Sequence, residues 1–207
     1  MQKKLTILFL LLTVTWAQAT LTLSQSFTPG NGGVADGNPV GVVFSGTFNQ
    51  ASPLDQVLGV TVNLSISGGY NGDLFAYLIA PNGTLVVLLD QPGVAVNGFG
   101  AYGAGMNISL SDAGSTSIQN ETSGNILSGT YQAAGNLSDF NGSLANGTWA
   151  LFFSDISNGG GQSTVDSWSL NLTVVPEPIG LALILFVAML LSLAGLDRIL
   201  RARKESH

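Results

Sequence analysis

Val60, Val62, Leu64 and Ile66 alternate with Thr61, Asn63 and Ser65. A period of two places one side of a strand in a core and the other in water. Alternating or β-branched runs recur at 21–27, 40–48, 57–67, 73–80, 84–90, 106–111, 126–131, 148–155 and 165–174, most of them bounded by Gly, Asn or Pro. Ala80-Pro81-Asn82-Gly83-Thr84 separates two apolar runs; Pro presets φ and Asn-Gly suits positive φ, so 74–79 and 85–89 are expected to form a hairpin. The segments 92–105 and 115–125 read as Gly-rich or polar loops. Some nine short strands predict an all-β fold, an antiparallel β-sandwich or jelly roll. Composition points the same way, since the 27 glycines and the abundant Asn, Ser and Thr oppose helices.

The two ends break this pattern. Lys3 and Lys4 precede an apolar segment over 5–14, and Ala17-Gln18-Ala19 follows. This has the order of a signal peptide with its A-x-A cleavage site, which makes 1–19 a targeting segment and Thr20 the expected mature N-terminus. At the other end, an apolar run over 179–196 is followed by Arg198, Arg201, Arg203 and Lys204. Eighteen residues at about 1.5 Å each reach ~27 Å, close to a bilayer core. A single transmembrane helix is expected there, within a C-terminal segment of 175–207 whose bases after the helix lie in the cytoplasm, with the ectodomain of 20–174 outside.

Charge narrows the chemistry. The segment 20–174 holds Asp36, Asp55, Asp73, Asp90, Asp112, Glu121, Asp139, Asp155 and Asp166, and no Lys, Arg or His. A polyanion meets nine like charges and no cationic groove, so no nucleic acid is expected as a partner. Without His, Cys or Lys there is no Ser-His-Asp triad, thiolate nucleophile, Schiff-base lysine or His-based zinc site. The chain is therefore read as not an enzyme. A paired-carboxylate glycosidase survives by inventory alone, because nothing in the sequence pairs its aspartates. Cysteine is absent, so burial and backbone pairing must stabilise the exported domain.

Pro176-Glu177-Pro178, the apolar span and the basic tail together resemble the PEP-CTERM sorting signal. That resemblance implies recognition and processing by an exosortase near the triplet, transient membrane anchoring, then release to the cell surface or extracellular matrix. An ordinary permanent anchor is the alternative. A second resemblance runs over 57–174, through Gly72-Asp73-Leu74, Leu78-Ile79-Ala80-Pro81-Asn82-Gly83-Thr84, Asn146-Gly147-Thr148-Trp149 and Asp166-Ser167-Trp168-Ser169-Leu170. In order and type these motifs are similar to the P domain, or P/Homo B, the module that follows the catalytic domain of kexin-like and furin-like convertases. It implies a jelly-roll sandwich with Trp149 and Trp168 as core pillars in paired late strands. The 20–56 stretch is too short for a subtilisin-type catalytic fold.

Two functions follow from these resemblances. The first is a surface or matrix protein acting by adhesion or exopolysaccharide association, through Tyr70, Tyr102 or Tyr131 and Asn amides; the alternative to it is an accessory P domain assisting a separately encoded subtilisin-like protease. P domains often bind calcium, and Asp73, Asp112, Asp155 and Asp166 are the candidate ligands, a hard cation preferring carboxylate and carbonyl oxygens. Solvated turn aspartates are the equal alternative. Eight Asn-x-Ser/Thr sequons, at Asn63, Asn82, Asn107, Asn120, Asn136, Asn141, Asn146 and Asn171, fit an Asn/Ser/Thr-rich strand composition as well as glycosylation.

Overall fold

The computed structural model describes residues 20–175 and 186–192. Within 20–175 ten strands form two packed sheets. The larger sheet has the order β1-β10-β4-β7-β8, from β1 (Leu21–Phe27), β10 (Ser163–Val175), β4 (Gln56–Gly68), β7 (Met106–Leu110) and β8 (Leu127–Tyr131). The two-residue β2 (Gly33–Val34) pairs with the start of β10, on the edge that β1 occupies farther along. The smaller sheet has the order β3-β9-β5-β6, from β3 (Asn38–Phe48), β9 (Gly147–Asp155), β5 (Leu74–Ile79) and β6 (Leu85–Asp90).

The alternating segment becomes β4 as its pattern requires: Val60, Val62, Leu64 and Ile66 are buried, and Thr61, Asn63 and Ser65 face outward. The hairpin forms as well. Ile79 pairs with Leu85, the Ala80 N–H donates to the Thr84 carbonyl at 2.9 Å, and the Asn82 side chain accepts from the Thr84 N–H at 3.0 Å. Of the Asn-Gly pair, Gly83 has the positive φ, at +87°.

Three expectations need correction. The sandwich is not wholly antiparallel, because β7 and β8 run parallel, Met106 opposite Leu127. Trp149 and Trp168 are both buried, at 0% and 2% exposure, yet their strands are not paired. β9 lies in the smaller sheet between β3 and β5, β10 in the larger between β1 and β4, so the two indoles enter the core from opposite sheets. Trp149 packs edge-on against Phe140 and donates its indole N–H to the Ala145 carbonyl at 3.1 Å, while Trp168 lies against Phe27 with centroids 4.3 Å apart. The loops are not featureless either: Val94–Asn97 is one turn of α-helix and Ile118–Asn120 one of 3-10 helix.

The Ala17 and Ala19 cleavage site, the Pro176-Glu177-Pro178 triplet and the basic tail lie outside the described residues. Of the expected 179–196 span, 186–192 is described, as exposed helix. Among the described residues no helix is long and apolar enough to cross a membrane.

Candidate functional site

Asp155 ends β9 between both its neighbours, opposite Asn38 of β3 on one side and Leu74 of β5 on the other. Asp73 directly precedes Leu74, and Asp36-Gly37 directly precedes Asn38. Strand register thus brings three carboxylates to one end of the sandwich from distant parts of the chain. The Ile156 N–H donates to the Asp73 carbonyl at 2.9 Å, the Gly37 N–H to Asp155 Oδ1 at 3.4 Å and the Gly159 N–H to Asp36 Oδ1 at 3.0 Å. Gly37 is required here. Its φ is +61°, and a Cβ would lie 2.0 Å from the Asn158 amide oxygen.

Burial sets the electrostatics. Asp155 is fully buried and Asp73 is 8% exposed, and 20–175 contains no basic side chain to pair with either. Desolvation pushes the Asp73 carboxyl from 3.8 up to about 6; the charges of Asp155 and Asp36 add to this and a hydrogen bond from Ser157 opposes it. Desolvation also raises Asp155, against the pull of the Gly37 and Ser157 N–H groups. Those two donors, each at 3.4 Å, both bond Oδ1. Oδ2 is buried with no partner, a state that costs free energy unless something neutralises it.

The four aspartates picked out by sequence therefore separate. Asp73 and Asp155 come together. Asp112 lies elsewhere and accepts the Leu137 and Ser138 N–H groups at 2.9 and 2.7 Å, capping the 3-10 helix Leu137–Phe140. Asp166 is exposed at an irregularity in the β10–β4 register and accepts from the Ser67 hydroxyl at 2.9 Å. Asp36 was not picked out; its signal was the Asp-Gly pair, a turn signature. Carboxylate, amide and hydroxyl oxygens suit a hard divalent cation and not zinc. Among the described residues no three acidic or histidine side chains already converge as a cage, so such an ion would draw on neutral oxygens too.

The sandwich also has two unlike outer faces. Across the larger sheet the outward positions are Ser, Thr and Asn: Asn63 stands between Ser169 and Ser109, donating to the first at 2.9 Å and accepting from the second at 2.6 Å. Across the smaller sheet they are apolar over β5 and β6 and mixed over β3. One row runs Val43, Phe152, Tyr77, Val87, the next Ser45, Ala150, Ile79, Leu85, and Thr47 lies opposite Thr148 beyond them. Tyr77 and Phe152 stack at 4.6 Å with Phe75 edge-on to both. Val43 is 60% exposed and Leu85 49%. Asp90, opposite Phe75, sits at the margin. The sequence did carry a signal for this face: 74–79 and 85–89 are unbroken apolar runs, the mark of strands covered on both sides.

Tyr70 and Tyr102 are exposed on loops joined by the Asn71 N–H to Gly103 and Gly72 N–H to Ala101 carbonyl bonds, at 3.0 and 2.7 Å. Tyr131 is half-buried on β8, its phenol pushed up by burial and by Glu121.

Comparison with known proteins fits this fold. The model of the proprotein convertase P-domain family matches residues 57–172, more than half of the chain. None of the curated proteins matches. Among solved structures, the serine protease of Aeromonas sobria is similar at 18% identity, both in complex with its chaperone (TM-score 0.49, covering 77% of this chain) and alone (TM-score 0.48, covering 78%). In each case the match spans 28% of that protease's length.

Proposed function

We propose that this chain, which belongs to the proprotein convertase P-domain family, is a non-catalytic accessory module that docks against a separately encoded subtilisin-like serine protease. The observation that carries this reading is the apolar patch on the outer face of the smaller sheet, formed by Val43, Phe75, Tyr77, Ile79, Leu85 and Phe152. A contiguous exposed patch of this kind costs solubility and marks an interaction site, and its aromatic residues are of the type that anchors protein interfaces. Catalysis by 20–175 is unsupported: the segment has no His, Cys or Lys to activate a nucleophile.

The test is binding of a purified subtilisin-like catalytic domain from the same source, measured by calorimetry. Val43→Asp and Leu85→Asp add charge at exposed positions and should each weaken binding by about tenfold or more, while the far-UV spectrum stays unchanged. Absence of a complex at micromolar concentration, or full affinity in both variants, overturns the reading.

The same proposal places the module outside the cell, exported through Ala17-Gln18-Ala19 and held, then processed, at Pro176-Glu177-Pro178 by an exosortase. In support, β1 begins at Leu21 and β10 ends at Val175, so the folded strands fit between the two signals. The mass of the surface form decides: an intact tail sinks the processing step. Adhesion to exopolysaccharide is the second reading, favoured by the exposed Tyr70 and Tyr102 on adjoining loops. Unaltered migration in polysaccharide-loaded gels rejects it.

A further inference from the structure

We propose that Asn158 is a self-modifying site, whose carboxamide is lost to attack by the Gly159 main-chain nitrogen with Asp36 as the general base. The starting point is one hydrogen bond. The Gly159 N–H donates to Asp36 Oδ1 at 3.0 Å, within the reach that a general base needs toward the proton it removes. Asp36 and Asn158 are both exposed. The Asn158 carboxamide is packed on Gly37, next to Asp36, where a Cβ would collide with its Oδ1 and its Cγ. Nucleophile, base and electrophile are therefore gathered by two loops, the Asp36 turn and the loop after β9.

The chain has seven Asn-Gly pairs, and their surroundings set this one apart. After Asn71, Asn82, Asn97 and Asn141 the glycine N–H is bonded to a main-chain carbonyl, far too weak a base to take the proton. At Asn146 the carboxamide itself is held, by the N–H and carbonyl of Ala51, and at Asn31 it accepts from the Gly33 N–H. At Gly159 the acceptor is a carboxylate. Gly159, Gly160 and Gly161 all have positive φ, and a Cβ at Gly159 would meet nothing within 4 Å, so the main chain has room to turn this nitrogen toward Cγ.

Asp36 takes the N–H proton, a bond forms between the Gly159 nitrogen and Asn158 Cγ, the C–N bond of the carboxamide breaks, and ammonia leaves with the proton that Asp36 held. A five-membered succinimide remains. Water then opens it at either carbonyl, giving aspartate or isoaspartate at position 158; one water enters, one ammonia leaves, and nothing is oxidised or reduced. The product is a further carboxylate beside Asp36, Asp73 and Asp155, in a segment with no basic side chain to offset it. Asp73 is already pushed up by desolvation and by the charges of Asp155 and Asp36, so the converted protein is less stable at neutral pH, and its fraction records the time since folding. This inference is independent of protease docking, since the pair lies at the strand ends and the docking face on the flat of the sheet.

The experiment incubates the purified full-length chain at neutral pH and then digests it with chymotrypsin, which cuts after Phe153 and Trp168. Asn158 is the one asparagine of the 154–168 peptide. Mass spectrometry should show NH2 exchanged for OH there, with isoaspartate labelled by isoaspartyl methyltransferase. Conversion at Asn158 should run at least about tenfold faster than at Asn82 or Asn141 in the same sample, the cautious side of the ~100-fold that a positioned base contributes. Asp36→Asn should remove that advantage. In urea, where the contact with Asp36 is lost, the three sites should convert at similar rates. This arm needs no variant, so it decides the matter even if Asp36→Asn fails to fold. An unconverted Asn158, a native rate no greater than the rate in urea, or an equal rate in folded Asp36→Asn overturns the proposal.

Discussion

Asp73 and Asp112 show how one residue type is put to different uses. Asp73 is buried among like charges and its carboxyl rises to about 6, so the folded state binds a proton more tightly than the unfolded one. By linkage, this contribution to stability is fully present below the ordinary value of 3.8 and is lost as pH rises through about 6. With chelator present, the urea midpoint is expected to fall between pH 5 and pH 7.5, and Asp73→Asn to flatten that fall. An unchanged slope in the variant contradicts the assignment. Asp112 works through geometry: it supplies the acceptor that the first turn of Leu137–Phe140 would otherwise lack. Asp112→Ala should cost about 1 kcal/mol, the usual loss of a cap, and chemical denaturation measures it.

At the scale of elements, what could be read depended on whether the two sides of a strand differ. β4 was legible because its core and solvent sides alternate. The same period explains three of the sequons: Asn63, Asn107 and Asn171 each have their Ser or Thr two positions on, and a strand turns both toward the outer face. The apolar strands β5 and β6 were equally easy to place, but their outer side was not, since unbroken apolar runs do not say what covers them. The hairpin between them rests on Gly83, where a Cβ would meet nothing within 4 Å but φ is +87°. Gly83→Ala therefore isolates backbone strain. A loss of about 1 kcal/mol is expected, and a thermal melt indistinguishable from the parent would contradict it.

For the whole molecule, the ends of the domain decide its integrity. β1 pairs along β10, from Leu21 opposite Val174 to Phe27 opposite Trp168, and β3 covers the edge of β9. The family match begins at residue 57 and leaves both out. A fragment of 57–175 would lose the Phe27 ring from Trp168 and leave β9 as an open edge, a known route to aggregation. Size-exclusion chromatography should show 20–175 as one folded species and 57–175 as aggregate or unfolded chain. A well-folded short fragment would mean that β1 to β3 are dispensable.

The sequence by itself determined the all-strand character, the turn chemistry between strands and the lack of basic and thiol side chains in 20–175. Each of these is written locally, in a period of two, an Asn-Gly pair or a residue type absent from that segment. Only the tertiary structure decided that Trp149 and Trp168 come from opposite sheets, that β8 runs parallel to β7, that one outer face carries an apolar patch, and that Asp36 joins Asp155. Those are matters of partner choice between segments far apart in the chain. Partner choice is settled by which closures bury the most apolar surface together, and no local pattern encodes that.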